Sequence, residues 1–102
     1  MSVVVIATIT PLPEHKDEVM AVVAETVPQV HAEDGCELYA LHQAADQLIL
    51  VEKWASPEAL AVHGKGAVLA AMNPKLQGKV AGRSHVVVAQ AVPAGDPVKG
   101  QL

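Results

Sequence analysis

Glu52, Trp54 and His63 are the residues of this 102-residue chain whose types and spacing point most directly to chemistry. Glu52 and Trp54 stand two apart, which in a strand puts a carboxyl and an indole on the same face. His63 follows Leu60 by three residues, and on a helix that spacing aims the imidazole inward with the leucine. An imidazole, with an unperturbed pKa near ~6.5, is suited to taking a proton at neutral pH. Trp54 would wall an adjoining slot and offer its N–H as a donor. Glu52 on an apolar face needs a partner: it could orient His63 or Arg83, form a structural ion pair, or bridge two subunits. Each residue also has a plainer role open to it, His63 as a histidine hydrogen-bonded at a helix end beside Gly64 and Trp54 as ordinary core.

Other polar residues are secondary. Asn73 reads as a helix cap, and Arg83 as a holder of anions near a helix end. His31 sits at the edge of a helix's apolar stripe, where a solvated position is expected. His15, His42 and His85 show neither His-x-His nor His-Glu-x-x-His spacing, so no metal site is expected. Cys36 is the single cysteine, which leaves no intramolecular disulfide and no thiolate zinc set, and it reads as buried packing.

The elements that must position these residues follow from pattern. Val3 to Ile9 is β-branched and apolar on both parities, a strand expected to be buried on both faces. Pro13 suits a helix start, and Val19, Val22, Val23, Thr26, Val27 and Val30 recur at helical spacing. Pro28 should kink or end that helix, and Asp34-Gly35 is its expected stop. Cys36–His42 and Gln47–Trp54 read as a hairpin around Gln43-Ala44-Ala45-Asp46. With His42 opposite Leu48, Glu37 faces Lys53, and Tyr39 falls on the face opposite Trp54, as an interface residue. Ser56-Pro57-Glu58 opens a second helix, interrupted at Gly64 and Gly66. Ala67 to Met72 resumes it, Asn73-Pro74 starts a further short one ending near Gly82, and His85 to Val92 is a last doubly buried strand. Residues 1–92 thus form one domain and 93–102 a tail.

The order β-α-β-β-α-β is that of an α+β, ferredoxin-like antiparallel sheet with helices on one face. Two observations ask for more than one chain. The apolar content is small-sided, with 17 Ala and 17 Val and an aromatic share of 2%, which makes a weak core. Strands apolar on both parities need cover on the face the helices leave open, and a sheet-on-sheet homodimer supplies it. A formal net charge of −4 with no basic cluster argues against nucleic acid. No basic leader precedes the first strand and no apolar run reaches the ~20 residues of a membrane span, so a cytoplasmic protein is expected.

The sequence resembles the antibiotic biosynthesis monooxygenase family, dimeric ferredoxin-like proteins that include quinol and anthrone monooxygenases. The resemblance is carried by His31-Ala32-Glu33-Asp34-Gly35-Cys36-Glu37-Leu38-Tyr39, by Glu52-Lys53-Trp54-Ala55-Ser56-Pro57-Glu58-Ala59-Leu60 with His63 following, and by the Val-rich last strand. It spans residues 3 to 92. Pro13-Glu14 stands where many relatives carry Pro-Gly. The haem-degrading branch uses an Asn on the first strand and a Trp where His63 stands; Ile6-Ala7-Thr8 lacks the Asn, which disfavours haem chemistry.

The resemblance implies a homodimer and cofactor-independent oxidation of a quinol, anthrone or related polycyclic phenol with O₂. Such chemistry needs an apolar slot, a base working near neutral pH and a donor for the developing oxyanion. His63 and Glu52 are the catalytic candidates, and Trp54, Leu60, Asn73 and Arg83 the substrate-binding ones, with no cofactor. Two alternatives stand beside it. One is processing or isomerisation of a small phosphorylated signalling metabolite, which needs an anion site. The other is a dimer that only binds a hydrophobic ligand.

Overall fold

A computed structural model describes residues 1–102. The chain runs β1 (Val3–Ile9), a 3-10 turn at Pro13–His15, α1 (Lys16–His31), β2 (Cys36–Gln43), β3 (Leu48–Trp54), α2 (Pro57–Gly64), α3 (Ala67–Leu76) and β4 (His85–Ala89). The four strands form one antiparallel sheet in the order β2-β3-β1-β4. This is the expected α+β ferredoxin-like arrangement. No helix is long and apolar enough to cross a membrane.

One face of the sheet makes the core. Val3, Val5, Ala7 and Ile9 of β1 and Leu48, Leu50, Glu52 and Trp54 of β3 are buried there, as the period of two along a strand requires. Val19, Val23 and Val30 of α1 cover them, at spacings that keep one helical face inward. α1 does not stop at Pro28 but continues to His31. Pro28 and Ala24 are both exposed, so the carbonyl freed by the missing N–H lies on the wet side of the helix, where solvent can satisfy it. The turn that follows ends in Gly35 at φ 81°, the left-handed geometry expected of a glycine stop.

The opposite sheet face has no layer over it within the chain. β1 is buried on one parity only, and Ile6 on the other is 36% exposed. β4, an edge strand, ends at Ala89 rather than Val92 and is exposed throughout, with Val87 at 47%. The expected double burial of β1 and β4 is therefore not met within one chain.

The hairpin register differs from expectation by one residue. Gln43, not His42, lies opposite Leu48, because the turn is Ala44 to Gln47, closed by Ala44 N–H donating to the Gln47 carbonyl at 2.8 Å. A β-bulge between Cys36 and Leu38 then absorbs Glu37 and keeps Cys36 opposite Trp54. Leu38 therefore faces Lys53, and Glu37 accepts instead from Ser2 Oγ at 2.8 Å. Tyr39 is opposite Glu52, on the core face, and is buried. Its expected place on the outer face is thus wrong, as a one-residue slip must make it.

α2 begins as read, with Ser56 Oγ accepting from Ala59 N–H at 3.1 Å and Pro57 in the first turn. The break before α3 falls at Gly66, where a Cβ would meet the Val62 carbonyl oxygen at 3.1 Å. Asn73 and Pro74 lie inside α3 rather than starting another helix. The stretch 77–84 carries turns, held by a bridge between Pro11 and Val80 and by Ala81 N–H donating to the Thr10 carbonyl at 2.7 Å. The tail makes a turn capped by Asp96, whose Oδ2 accepts from the N–H groups of Val98 and Lys99 at 2.9 Å each.

Candidate functional site

A cavity of about 220 Å³ lies between the core face of the sheet and the helices α2 and α3. Val5, Ala7, Ile9 and Leu50 form its floor, and Leu60, Leu69 and Met72 its roof. Polar groups enter from five places: Tyr39 on β2, Glu52 on β3, His63 on α2, Asn73 on α3 and Ser84 just before β4. Ile9, Asn73 and Ser84 also line a neighbouring surface groove, which marks their side as the mouth. Neither Lys nor Arg lines the cavity.

His63 is buried, and its Nδ1 lies 2.7 Å from Glu33 Oε2 and 3.1 Å from Oε1. A carboxylate only accepts, so Nδ1–H is the donor, and in the neutral ring Nε2 keeps its lone pair. No hydrogen bond involves His63 Nε2, and no fully buried polar side-chain atom lacks a partner. Nε2 is therefore not fully enclosed, and the ring that carries it lines the cavity. The arrangement is a base held by a carboxylate behind it, the geometry that fixes an imidazole's tautomer for proton abstraction.

Glu33 was absent from the sequence-based candidates. It stands in the loop between α1 and Gly35, where neither helical nor strand period says which way a side chain points. The role of orienting His63, open to Glu52 on sequence grounds, belongs to Glu33. Glu52 is instead paired with Trp54, whose Nε1–H donates to Oε1 at 2.9 Å. Burial pushes the Glu52 carboxyl above its usual range and nearby Glu33 adds to this, against the opposing pull of the Trp54 bond and of His63.

Trp54 does not wall the cavity. It is fully buried behind it, with its ring stacked on His63 at 4.4 Å between centroids and 29° between planes. One face and its only donor are thus committed, and stacking on a ligand is closed to it. The aromatic that lines the space is Tyr39, edge-on to His63 at 5.7 Å and to Trp54 at 6.5 Å. Burial, then the charges of Glu52 and Glu33, hold its phenol well above the usual tyrosine range. The signal that would have found it is the turn at Ala44–Gln47, since closing the hairpin one residue later turns Tyr39 inward.

Of the expected residues, the fold brings Glu52, Leu60, His63 and Asn73 to one cavity. It does not bring Arg83, which is exposed before β4 and makes no ion pair or side-chain hydrogen bond. His31 is not merely solvated: its ring nitrogen Nε2 donates to the Tyr39 carbonyl at 2.9 Å. Cys36 is half-buried, and burial raises its thiol, followed by the charges of Glu33 and Glu52, which fits packing rather than nucleophilic use. No group of three or more His, Cys, Asp or Glu could hold a metal ion.

The sequence profile of the antibiotic biosynthesis monooxygenases matches residues 2–75. The chain belongs to that family. Rv0793 from Mycobacterium tuberculosis is 24% identical, with a TM-score of 0.85 over 94% of this chain and 100% of that one. A solved antibiotic biosynthesis monooxygenase is 26% identical, with a TM-score of 0.82 over 89% of this chain and 99% of its own. A conserved protein from Methanosarcina mazei, 19% identical, shares the fold at a TM-score of 0.81 over 88% and 92%. Among curated proteins none matches. The family carries monooxygenase-like function with it.

Proposed function

We propose that this family member is a cofactor-independent monooxygenase acting with O₂ on a small neutral quinol or related phenol, and that its working form is a cytoplasmic homodimer. The observation that carries the activity is His63, tied through Nδ1 to Glu33, with Nε2 unpaired and the ring lining a largely apolar cavity. At about 220 Å³ the space is below the roughly 300–1,000 Å³ of pockets for drug-sized ligands. This favours a one- or two-ring phenol over a three-ring anthrone.

His63 Nε2 takes the phenol's proton, and Glu33 stabilises the imidazolium. The electron-rich phenolate passes one electron to O₂, and the resulting radical pair joins by a C–O bond at a hydrogen-bearing ring carbon ortho or para to the oxygen, which in a hydroquinone is the ortho carbon. His63 returns its proton to the outer peroxide oxygen. It then removes the hydrogen of that carbon as the O–O bond breaks, leaving a carbonyl. Glu52, whose carboxyl is held toward its protonated form, gives a proton to the departing hydroxide and is reloaded from His63. The substrate loses two hydrogens and gains one oxygen, and the other oxygen leaves as water. The apolar lining keeps bulk water from the intermediates, and Leu60 and Asn73 bound the ring.

Oxygen uptake with a panel of one- and two-ring hydroquinones and naphthols tests the activity. The wild type is expected to consume O₂ well above the buffer rate, and His63→Ala to lower the rate on the order of 10²–10⁴-fold. No uptake by the wild type across the panel would overturn the oxygenase and leave a dimer that only binds hydrophobic ligands. A phosphorylated metabolite is disfavoured, since no cation lines the cavity to meet a phosphate.

A further inference from the structure

Three polar groups of the cavity, Tyr39, Asn73 and Ser84, have no part in the proton steps above. Tyr39 reaches the cavity because the turn at Ala44–Gln47 sets it opposite Glu52, and the bulge at Glu37 reconciles that register with Cys36 opposite Trp54. The bulge is tied from three sides. Glu37 accepts from Ser2 Oγ at 2.8 Å, the Gly35 carbonyl accepts from Ala55 N–H at 2.8 Å, and the Tyr39 carbonyl accepts from His31 Nε2 at 2.9 Å. β2 is one of the two edge strands, so its outward carbonyls have no ladder partner. His31, the last residue of α1, supplies one to the residue whose side chain enters the cavity.

We propose that Tyr39 donates the hydrogen bond that holds the substrate's developing oxyanion, and that His31, outside the cavity, is the positioning residue that keeps Tyr39 there. The oxyanion's identity rests on the oxygenase reading above; the positioning does not. Tyr39 and His63 stand side by side, ring centroids 5.7 Å apart and edge to face, so one substrate oxygen can give its proton to Nε2 while accepting from the phenol. A phenol that stays protonated is a donor throughout, and its bond strengthens as charge grows on the acceptor. Asn73 and Ser84 also carry donors, but they border the surface groove. The His31 bond survives protonation of its ring, because a carbonyl only accepts and Nε2–H is present in both states.

The test compares wild type, Tyr39→Phe, His31→Ala, His31→Gln and the double variant Tyr39→Phe/His31→Ala, with a two-ring hydroquinone as substrate. Tyr39→Phe is expected to lower kcat on the order of 10²-fold with KM little changed. His31→Ala should lower kcat roughly 2- to 10-fold, as loss of one hydrogen bond allows. His31→Gln, which can still donate, should restore most of it. In the Tyr39→Phe background His31→Ala should cost nothing further. An undiminished kcat in Tyr39→Phe, or the same His31 effect in both backgrounds, overturns the proposal. A second readout needs no turnover. Tyr39 is the only tyrosine, so its ring protons form one NMR spin system, shifted by the rings of Trp54 and His63. His31→Ala should move those resonances toward the values of an exposed tyrosine and His31→Gln should not; unchanged resonances in His31→Ala overturn the positioning role even if no substrate is turned over.

Discussion

The carboxyls of Glu33 and Glu52 lie on either side of His63's chemistry and do different work. Glu33 accepts a charge-assisted hydrogen bond from His63 Nδ1–H, worth about 1.5–3 kcal/mol where a neutral one is worth about 0.5–1.5. Glu33→Gln keeps an acceptor but removes the charge, so O₂ uptake is expected to fall roughly tenfold and folding stability by about 1 kcal/mol. Glu52 has the opposite character, a buried carboxyl whose folded-state pKa is raised by that burial. A raised acid binds more protons folded than unfolded, so stability falls as pH rises from the unfolded value near ~4.3 through the folded one. Glu52→Gln removes that loss. Denaturant titrations should find the two proteins alike at pH 4 and the variant the more stable at pH 8; a wild type equally or more stable at pH 8 contradicts the sign. Neither role was legible at residue level. Glu52 and His63 could be picked out as inward groups by parity and by the Leu60 spacing, but which carboxyl meets the imidazole depends on a loop with no period.

At the scale of elements, one glycine fixes how β2 meets α2. Gly35 has φ 81°, and a Cβ there would stand 2.5 Å from Ala59 Cβ. Gly82 has a similar φ, 74°, with nothing within 4 Å. Gly35→Ala is expected to cost about 2–4 kcal/mol, left-handed strain plus overpacking, and Gly82→Ala only about 1 kcal/mol. Melting curves of the pair separate strain from collision, and equal losses would refute the close contact. The same element shows what sequence could and could not convey. Strand and helix positions were legible because alternation and helical spacing persist over whole elements, and Ser56-Pro57 marks α2 by its chemistry. The hairpin register was not, because Gln43 to Gln47 contains no glycine or proline to choose between two turns one residue apart. The bulge at Glu37 then hid the slip, since Cys36 meets Trp54 in either case. Pro28 misled for a related reason: its effect depends on which side of α1 is wet, and only the packed sheet decides that.

For the whole molecule, a sheet face left bare answers the shortage of large side chains in the core. Ile6 and Val87 are register partners on that face, 36% and 47% exposed, and burying that exposed remainder is worth roughly 0.5–1.5 kcal/mol each. Sedimentation equilibrium at micromolar concentration should give twice the chain mass of 10.6 kDa. Ile6→Asp/Val87→Asp should shift the population toward the single chain and lower the melting temperature, because two carboxylates would then face their own copies across a dry seam. A wild type that sediments as one chain would remove the dimer from the proposed function while leaving the cavity intact.

The placement of the chain's one tryptophan has a practical consequence. Trp54 is in van der Waals reach of the imidazole on one face and bonded to Glu52 at its edge, with no second indole elsewhere to dilute its signal. An excited indole is quenched more strongly by an imidazolium than by a neutral imidazole, and its emission colour shifts with the charge beside its N–H. The protein therefore carries its own fluorophore at the point where protons are expected to move. Its emission can follow ligand entry and the protonation of the site in the unlabelled molecule, before any substrate is known.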